Sequence, residues 1–223
     1  MKLIILAAGL GTRMQAVTGG RPKLFVEAGG MTLLERLVAL AGTADLDPVV
    51  VARPEAEAQI RAAGVEVWLE KGTPDIMVTL SNTRRHVREP FAWMAGDMVI
   101  CDAGPVVDLV SAFRAGSWEA AFLYVRSARF KAKFALHPRP EVLVTREGSH
   151  SFSLVGFGLQ VPRLFSFLPG DFRKPRENYL QRALDAGTPV LFREYPGEVF
   201  EIDTPADLEA ARGYFDRLAP AKA

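Results

Sequence analysis

The sequence predicts an α/β fold, a single domain built on an open, mostly parallel (mixed) sheet with helices on both faces. Three observations predict it. Short apolar, β-branched runs recur along the chain, segments of helical spacing separate them, and 223 residues are enough for one sizeable core while cramped for two. Strand alternating with helix implies parallel strands joined by crossovers. Ligands of such a sheet bind at the carboxyl ends of its strands.

The expected strands are Leu3 to Leu6, Val49 to Val51, Val65 to Leu69, Phe91 to Met94 and Ala120 to Val125. Between the first two, Leu33, Leu34, Leu37, Val38 and Leu40 have the spacing of one helix face, with Thr32 as N-cap and Gly42 as terminator. After Val125 the rhythm changes. Residues 127–151 are rich in basic and turn residues around a short apolar run, Val142 to Val144, and predict an inserted arm or hairpin. The pattern resumes with Phe152 to Val161, a helix from about Arg176 to Ala186, strands at Val190 to Arg193 and Val199 to Ile202, and a last helix after Thr204. Thr204, Pro205 and Asp207 form a strong helix start: a capping hydroxyl, a proline suited to the first turn, and an acid that complements the dipole. The domain is expected to span residues 1–219, with 220–223 as a frayed tail.

Composition narrows the function. Acids and bases are interspersed and the formal net charge is +1, so no broad basic field is available for nucleic acid or an anionic membrane. No stretch approaches the roughly eighteen apolar residues needed to span a bilayer. The opening Met1 to Leu6 is too short an apolar run for a signal peptide and is expected to be a strand. Cys101 is the single cysteine, and His86, His137 and His150 are scattered, so neither a disulfide nor a zinc cluster is expected, in keeping with a cytoplasmic protein.

The chemistry-bearing segment opens the chain. Leu6-Ala7-Ala8-Gly9-Leu10-Gly11-Thr12-Arg13-Met14 places two glycines just past an apolar strand, where backbone amides can cradle phosphate oxygens. A P-loop would need lysine and then serine or threonine after the second glycine, and here Thr12-Arg13 follow. A dinucleotide fingerprint would need a third glycine where Met14 stands. The remaining reading takes the loop together with Pro22-Lys23. So taken, the segment resembles the signature of the nucleotidyltransferase family with the GT-A-like, Rossmann-like fold. That family includes sugar-1-phosphate, choline-phosphate and inositol-phosphate nucleotidyltransferases and molybdenum-cofactor guanylyltransferases.

The resemblance implies that Leu6, Ala7, Ala8 and Gly9 meet the nucleobase and ribose, with Leu10 between the two glycines. It implies that Gly11, Thr12 and Arg13 hold the β- and γ-phosphates and that Lys23 contacts the α-phosphate. The chemistry asks for the same residue types. Pyrophosphate leaves with several negative charges, so the cations of Arg13 and Lys23 would stabilise charge that grows in the transition state, each contact contributing about 3 kcal/mol. The alternative is an ordinary strand-to-helix turn with both side chains solvated.

A triphosphate brings a need for Mg2+, which takes one or two carboxylates and leaves its other positions to phosphate and water. Asp97, after Gly96 and a strand, has the position of the family's glycine-aspartate metal motif. The run Glu201-Ile202-Asp203-Thr204-Pro205 resembles the family's carboxyl-terminal acid, threonine, proline turn, and strand alternation puts Glu201 and Asp203 on one side. Both are candidate metal ligands. Asp102 and Asp108 are assigned to the surface or to capping.

The implied reaction is attack of a phosphorylated acceptor on the α-phosphorus of a nucleoside triphosphate, with no general base. The acceptor is left open. Residues 71–82 depart from the glycine-rich run of sugar-phosphate members and look more like the segment that opens a helix in choline- or inositol-phosphate enzymes, with Asp75 and Thr79 available for polar contacts. Arg126, Arg129, Lys131 and Lys133 are candidates for the acceptor phosphate, Phe152 to Phe157 for its pocket, and Tyr124, Trp93 and Trp118 for a quaternary ammonium cage. A cofactor guanylyltransferase of molybdopterin or cobinamide type and a non-catalytic nucleotide-binding protein remain the alternatives.

Overall fold

The computed structural model describes residues 1–9, 11–71, 76–126, 135–136, 143–144, 153–168 and 179–218. The apolar run ahead of the glycines forms the central strand β1 (Lys2–Leu6), whose last four residues are at most 5% exposed. Alternation divides it between two cores. Leu3 and Ile5 pack on one face with residues of α1 (Leu33–Thr43), α2 (Glu57–Ala62) and α4 (Gly104–Ala115). Ile4 and Leu6 pack on the other face with Leu80 of α3 (Ile76–Asn82) and Leu180 of α5 (Tyr179–Asp185). Burying each such aliphatic side chain contributes about 1.5–3 kcal/mol, so β1 is firmly anchored on both faces.

The other strands of the main sheet are β2 (Asp47–Ala52), β3 (Glu66–Leu69), β4 (Phe91–Ala95), β5 (Ala120–Val125), β6 (Ser153–Gln160) and β7 (Val190–Glu194). Their order in space is β7-β5-β6-β4-β1-β2-β3. Every pairing is parallel except those of β6, which runs antiparallel to both β4 and β5. The expected mostly parallel, mixed sheet with helices on both faces is therefore present. Because β5 and β6 are antiparallel neighbours, the chain between them leaves and re-enters at the edge where β1 and β4 end. Of the arm expected there, Ala135–Leu136 and Leu143–Val144 pair antiparallel. Arg129, Lys131, Lys133 and the 220–223 tail lie outside the described residues.

Local signals hold where they were strongest. The helix α1 starts at Thr32 with a reciprocal box: Glu35 N–H donates to Thr32 Oγ1 (3.2 Å) and Thr32 N–H donates to Glu35 Oε2 (2.7 Å), an arrangement worth about 1 kcal/mol. Thr204 opens α6 (Pro205–Leu218) as expected. Two expectations need correction: Gly42 does not end α1, which runs through it to Thr43 with Ala44 as its C-cap, and the late strand is shorter and lies elsewhere. The strand predicted at Val199 to Ile202 ends at Glu201 and is not part of the main sheet; Val199–Glu201 pairs antiparallel with Met98–Ile100 in a ribbon of its own. This ribbon, α6 and Met14 of the glycine loop share a third core that includes Val99, Phe200, Ile202 and Leu208.

Candidate active site

The site grows from the end of β1. Ala7 N–H donates to Val51 O (2.9 Å) and Gly96 N–H donates to Leu6 O (2.9 Å), so the chain leaves the sheet held between the ends of β2 and β4. Gly11 then takes the left-handed conformation (φ 60°), which a glycine adopts without a Cβ penalty, and a single tight turn, Thr12–Met14, follows. Fully buried Met14 anchors that turn in the third core, which leaves Thr12 and Arg13 exposed above it. After Pro22 comes a second tight turn, Lys23–Phe25, in which buried Leu24 points into the core and the Lys23 side chain is only 17% exposed.

Asp97 follows β4 through Gly96. A Cβ on Gly96 would stand 2.9 Å from Ala7 Cβ and 3.1 Å from Leu6 O, so only glycine lets the end of β4 come this close to β1. Asp203 arrives from the far end of the chain: Ile202 N–H donates to Asp97 O (2.8 Å), tying the two acidic segments together by backbone. Asp203 N–H and Thr204 N–H both donate to Asp207 Oδ2 (3.1 and 2.7 Å), as does Thr204 Oγ1 (2.8 Å). The Asp207 carboxylate thus fixes the turn that presents Asp203.

The two acids meet on one cation. Lys23 Nζ donates to Asp97 Oδ2 (3.0 Å) and to Asp203 Oδ1 (3.3 Å), and Arg13 Nη2 pairs with Asp203 Oδ2 (2.9 Å). The Asp97 and Asp203 carboxylates are 30% and 27% exposed, which favours pairing over full hydration. Two carboxylate oxygens within reach of a single nitrogen, open to a cavity, suit a divalent cation that takes one or two carboxylates and completes its shell with phosphate and water. Among the described residues no three His, Cys, Asp or Glu converge as a metal cage.

Around this cluster lies a cavity of about 740 Å³, within the usual range for a small-molecule site. Of the residues singled out in the sequence, Leu6, Ala7, Ala8, Gly9, Gly11, Thr12, Arg13, Lys23, Thr79, Asp97 and Asp203 line it. Leu10 and Asp75 lie outside the described residues. Glu201 is exposed, is not among the lining residues, and pairs through its backbone with Met98. The expected alternation of Glu201 and Asp203 on one strand face does not hold, because the ribbon has ended and Asp203 N–H turns back onto Glu201 O (3.1 Å). Asp102 caps Gly104 N–H (2.9 Å), as assigned.

The opposite wall was missed. It is made by Arg53, Glu55 and Gln59, joined by Ile76 and Thr79 of α3. Arg53 Nη2 pairs with Glu55 Oε1 (2.7 Å), and this hydrogen bond holds the Glu55 carboxyl below its ordinary value. Their signal was available: they follow the carboxyl end of a parallel strand. Among the aromatic candidates, Trp93 is buried in the core, edge-on to Phe122. Trp118 precedes β5, at the opposite edge of the sheet. Tyr124 lies at the carboxyl end of β5, beside Arg126 and Glu194.

The sheet, the glycine loop and the lysine with its two aspartates define an α/β domain whose cavity opens at the carboxyl edge of its strands. Residues 3–199 match the MobA-like NTP transferase domain, and the chain belongs to that family of nucleotidyltransferases. A stretch of 139 residues is 29% identical to the bifunctional protein GlmU of Leifsonia xyli subsp. xyli, covering 55% of this chain and 27% of that protein. The chain therefore spans about a quarter of that relative's length. Similar folds include a putative glucose-1-phosphate thymidylyltransferase from Bacillus anthracis (TM-score 0.82, 18% identity, 100% of this chain and 98% of that one). The inositol-1-phosphate CTP transferase of T. maritima is another (TM-score 0.73, 18% identity, 100% and 97%). A UDP-glucose pyrophosphorylase from Acinetobacter baumannii superimposes as well (TM-score 0.79, 15% identity, 99% and 94%). Among the described residues no helix is long and apolar enough to cross a membrane.

Proposed function

We propose that the protein transfers a nucleoside monophosphate unit from a nucleoside triphosphate to a small phosphorylated acceptor, a sugar 1-phosphate or a phospho-alcohol such as phosphocholine, and releases pyrophosphate. The observation that carries this reading is the Lys23 ammonium held between Asp97 and Asp203 at the mouth of the glycine loop. The names of the similar proteins support it, since two of them act on glucose 1-phosphate and inositol 1-phosphate.

In this reading the amides of Gly11 to Arg13 and the Arg13 guanidinium bind the β- and γ-phosphates, and Lys23 neutralises the α-phosphate where charge develops. Asp97 and Asp203 hold Mg2+, which when bound supplies Lewis-acid neutralisation of phosphate charge. The acceptor phosphate is ionised at neutral pH and attacks the α-phosphorus directly, so the chain needs no general base. Its work is to hold two anions in line and to exclude water. That accounts for a cluster of lysine, arginine and two acids without histidine or cysteine.

A second reading keeps the donor chemistry and exchanges the acceptor for a molybdopterin-type cofactor, and the MobA-like match favours it. One panel separates the readings: each of the four nucleoside triphosphates against sugar 1-phosphates, phosphocholine, inositol phosphate and molybdopterin, scored by Mg2+-dependent pyrophosphate release. No turnover with any pair would favour a non-catalytic nucleotide-binding protein. Asp97→Asn and Lys23→Ala are each expected to abolish release while the thermal unfolding curve still shows one folded domain. Full activity in both variants overturns the site assignment.

A further inference from the structure

We propose that Arg21 is a further donor-binding residue, whose guanidinium contacts the polyphosphate of the nucleoside triphosphate; this rests on the donor reading above. The charges that line the cavity carry the argument. Among the described residues four cations line it, and three of them are already engaged: Arg13 with Asp203, Lys23 with Asp97 and Asp203, and Arg53 with Glu55. Against the three lining carboxylates these three cations leave no surplus. Arg21 is the fourth, and among the described residues its guanidinium has no carboxylate or carbonyl partner. Among the described lining residues the positive surplus is therefore the charge of Arg21, in a cavity that on the donor reading admits a polyanion.

The backbone sets its position. Gly19 and Gly20 both take left-handed conformations (φ 57° and 84°), and Arg21 N–H donates back to Thr18 O (3.1 Å), closing the turn. Pro22 follows in extended conformation, directly before Lys23. The turn thus places a partnerless guanidinium two residues from the ammonium that holds the acid pair. A planar fork of donors suits a phosphate bidentately, which a solvated lysine at the same place would not reproduce.

Arg21 also borders a smaller cavity of about 220 Å³ on the far side of the loop, with Phe25, Glu27 and Arg212. There Arg212 is occupied, donating to Glu27 O (3.1 Å) and to Glu209 (2.7 Å), which makes it a suitable control. The test is calorimetric binding of each nucleoside triphosphate with Mg2+, without acceptor, to the wild type and to Arg21→Ala, Arg21→Lys and Arg212→Ala. Expected are an affinity loss of about tenfold or more in Arg21→Ala, partial recovery in Arg21→Lys, wild-type affinity in Arg212→Ala, and unchanged melting temperatures throughout. Wild-type affinity in Arg21→Ala overturns the proposal alone, as does an equal loss in Arg212→Ala. A wild type that binds none of the four triphosphates overturns the donor reading itself, and Arg21 with it.

Discussion

Asp97 and Asp203 end on the same ammonium, yet the chain delivers them by different means. Asp97 is placed by steric fit: β4 runs up against β1, and Gly96 leaves no room for a side chain between Ala7, Leu6 O and Leu24. Asp203 is placed by polar contacts: a carboxylate four residues on, Asp207, gathers the N–H groups of Asp203 and Thr204 and the Thr204 hydroxyl. A close-packed backbone contact has little give, so its loss is abrupt. A hydrogen-bonded turn loosens by degrees as donors are removed. One half of the site is built to be rigid and the other to be adjustable.

Breaking the steric half should have the larger effect. Gly96→Val forces a branched side chain against backbone that cannot yield, and the expected result is loss of pyrophosphate release together with about 1–3 kcal/mol of stability, read by assay and thermal melt. Wild-type turnover and melting would mean that Asp97 is not held by that contact. The polar half should respond more gently. Asp207→Ala is expected to lower kcat/KM by about tenfold and stability by about 1–2 kcal/mol, with Asp207→Asn in between. Unchanged turnover in Asp207→Ala would show that the chain path alone positions Asp203. The smallest effect is expected for Glu201→Gln, which should stay within about twofold in Mg2+-dependent turnover, as surface substitutions commonly do. A large loss there would move the metal ligand to Glu201 and end the contrast.

What the sequence revealed follows the range over which each signal acts. Strands such as Leu3 to Leu6 and Ala120 to Val125 are legible because their apolar runs are local and almost wholly buried. The cap at Thr32 was legible because its partner, Glu35, is three residues away. The Met98–Ile100 strand was not, since three residues show no period and their partner strand lies about a hundred residues on. Lys23 was singled out from a motif, but its two acidic partners are 74 and 180 positions distant, and no local pattern announces such a meeting. Arg53 and Glu55 belong to no recognisable motif and are marked only by following a parallel strand. The rule that ligands gather at carboxyl ends of parallel strands applies equally to the loop after β2.

The hydrogen bond from Ile202 to the Asp97 carbonyl, with the ribbon behind it, joins residues 105 positions apart in the sequence. Closing a loop of this length is entropically costly and slow compared with forming the helices and the β1–β2 pair. If turnover needs both acids, pyrophosphate release is expected to return after the helical circular dichroism signal during refolding, and simultaneous recovery of the two would show that this long-range closure is not the later step.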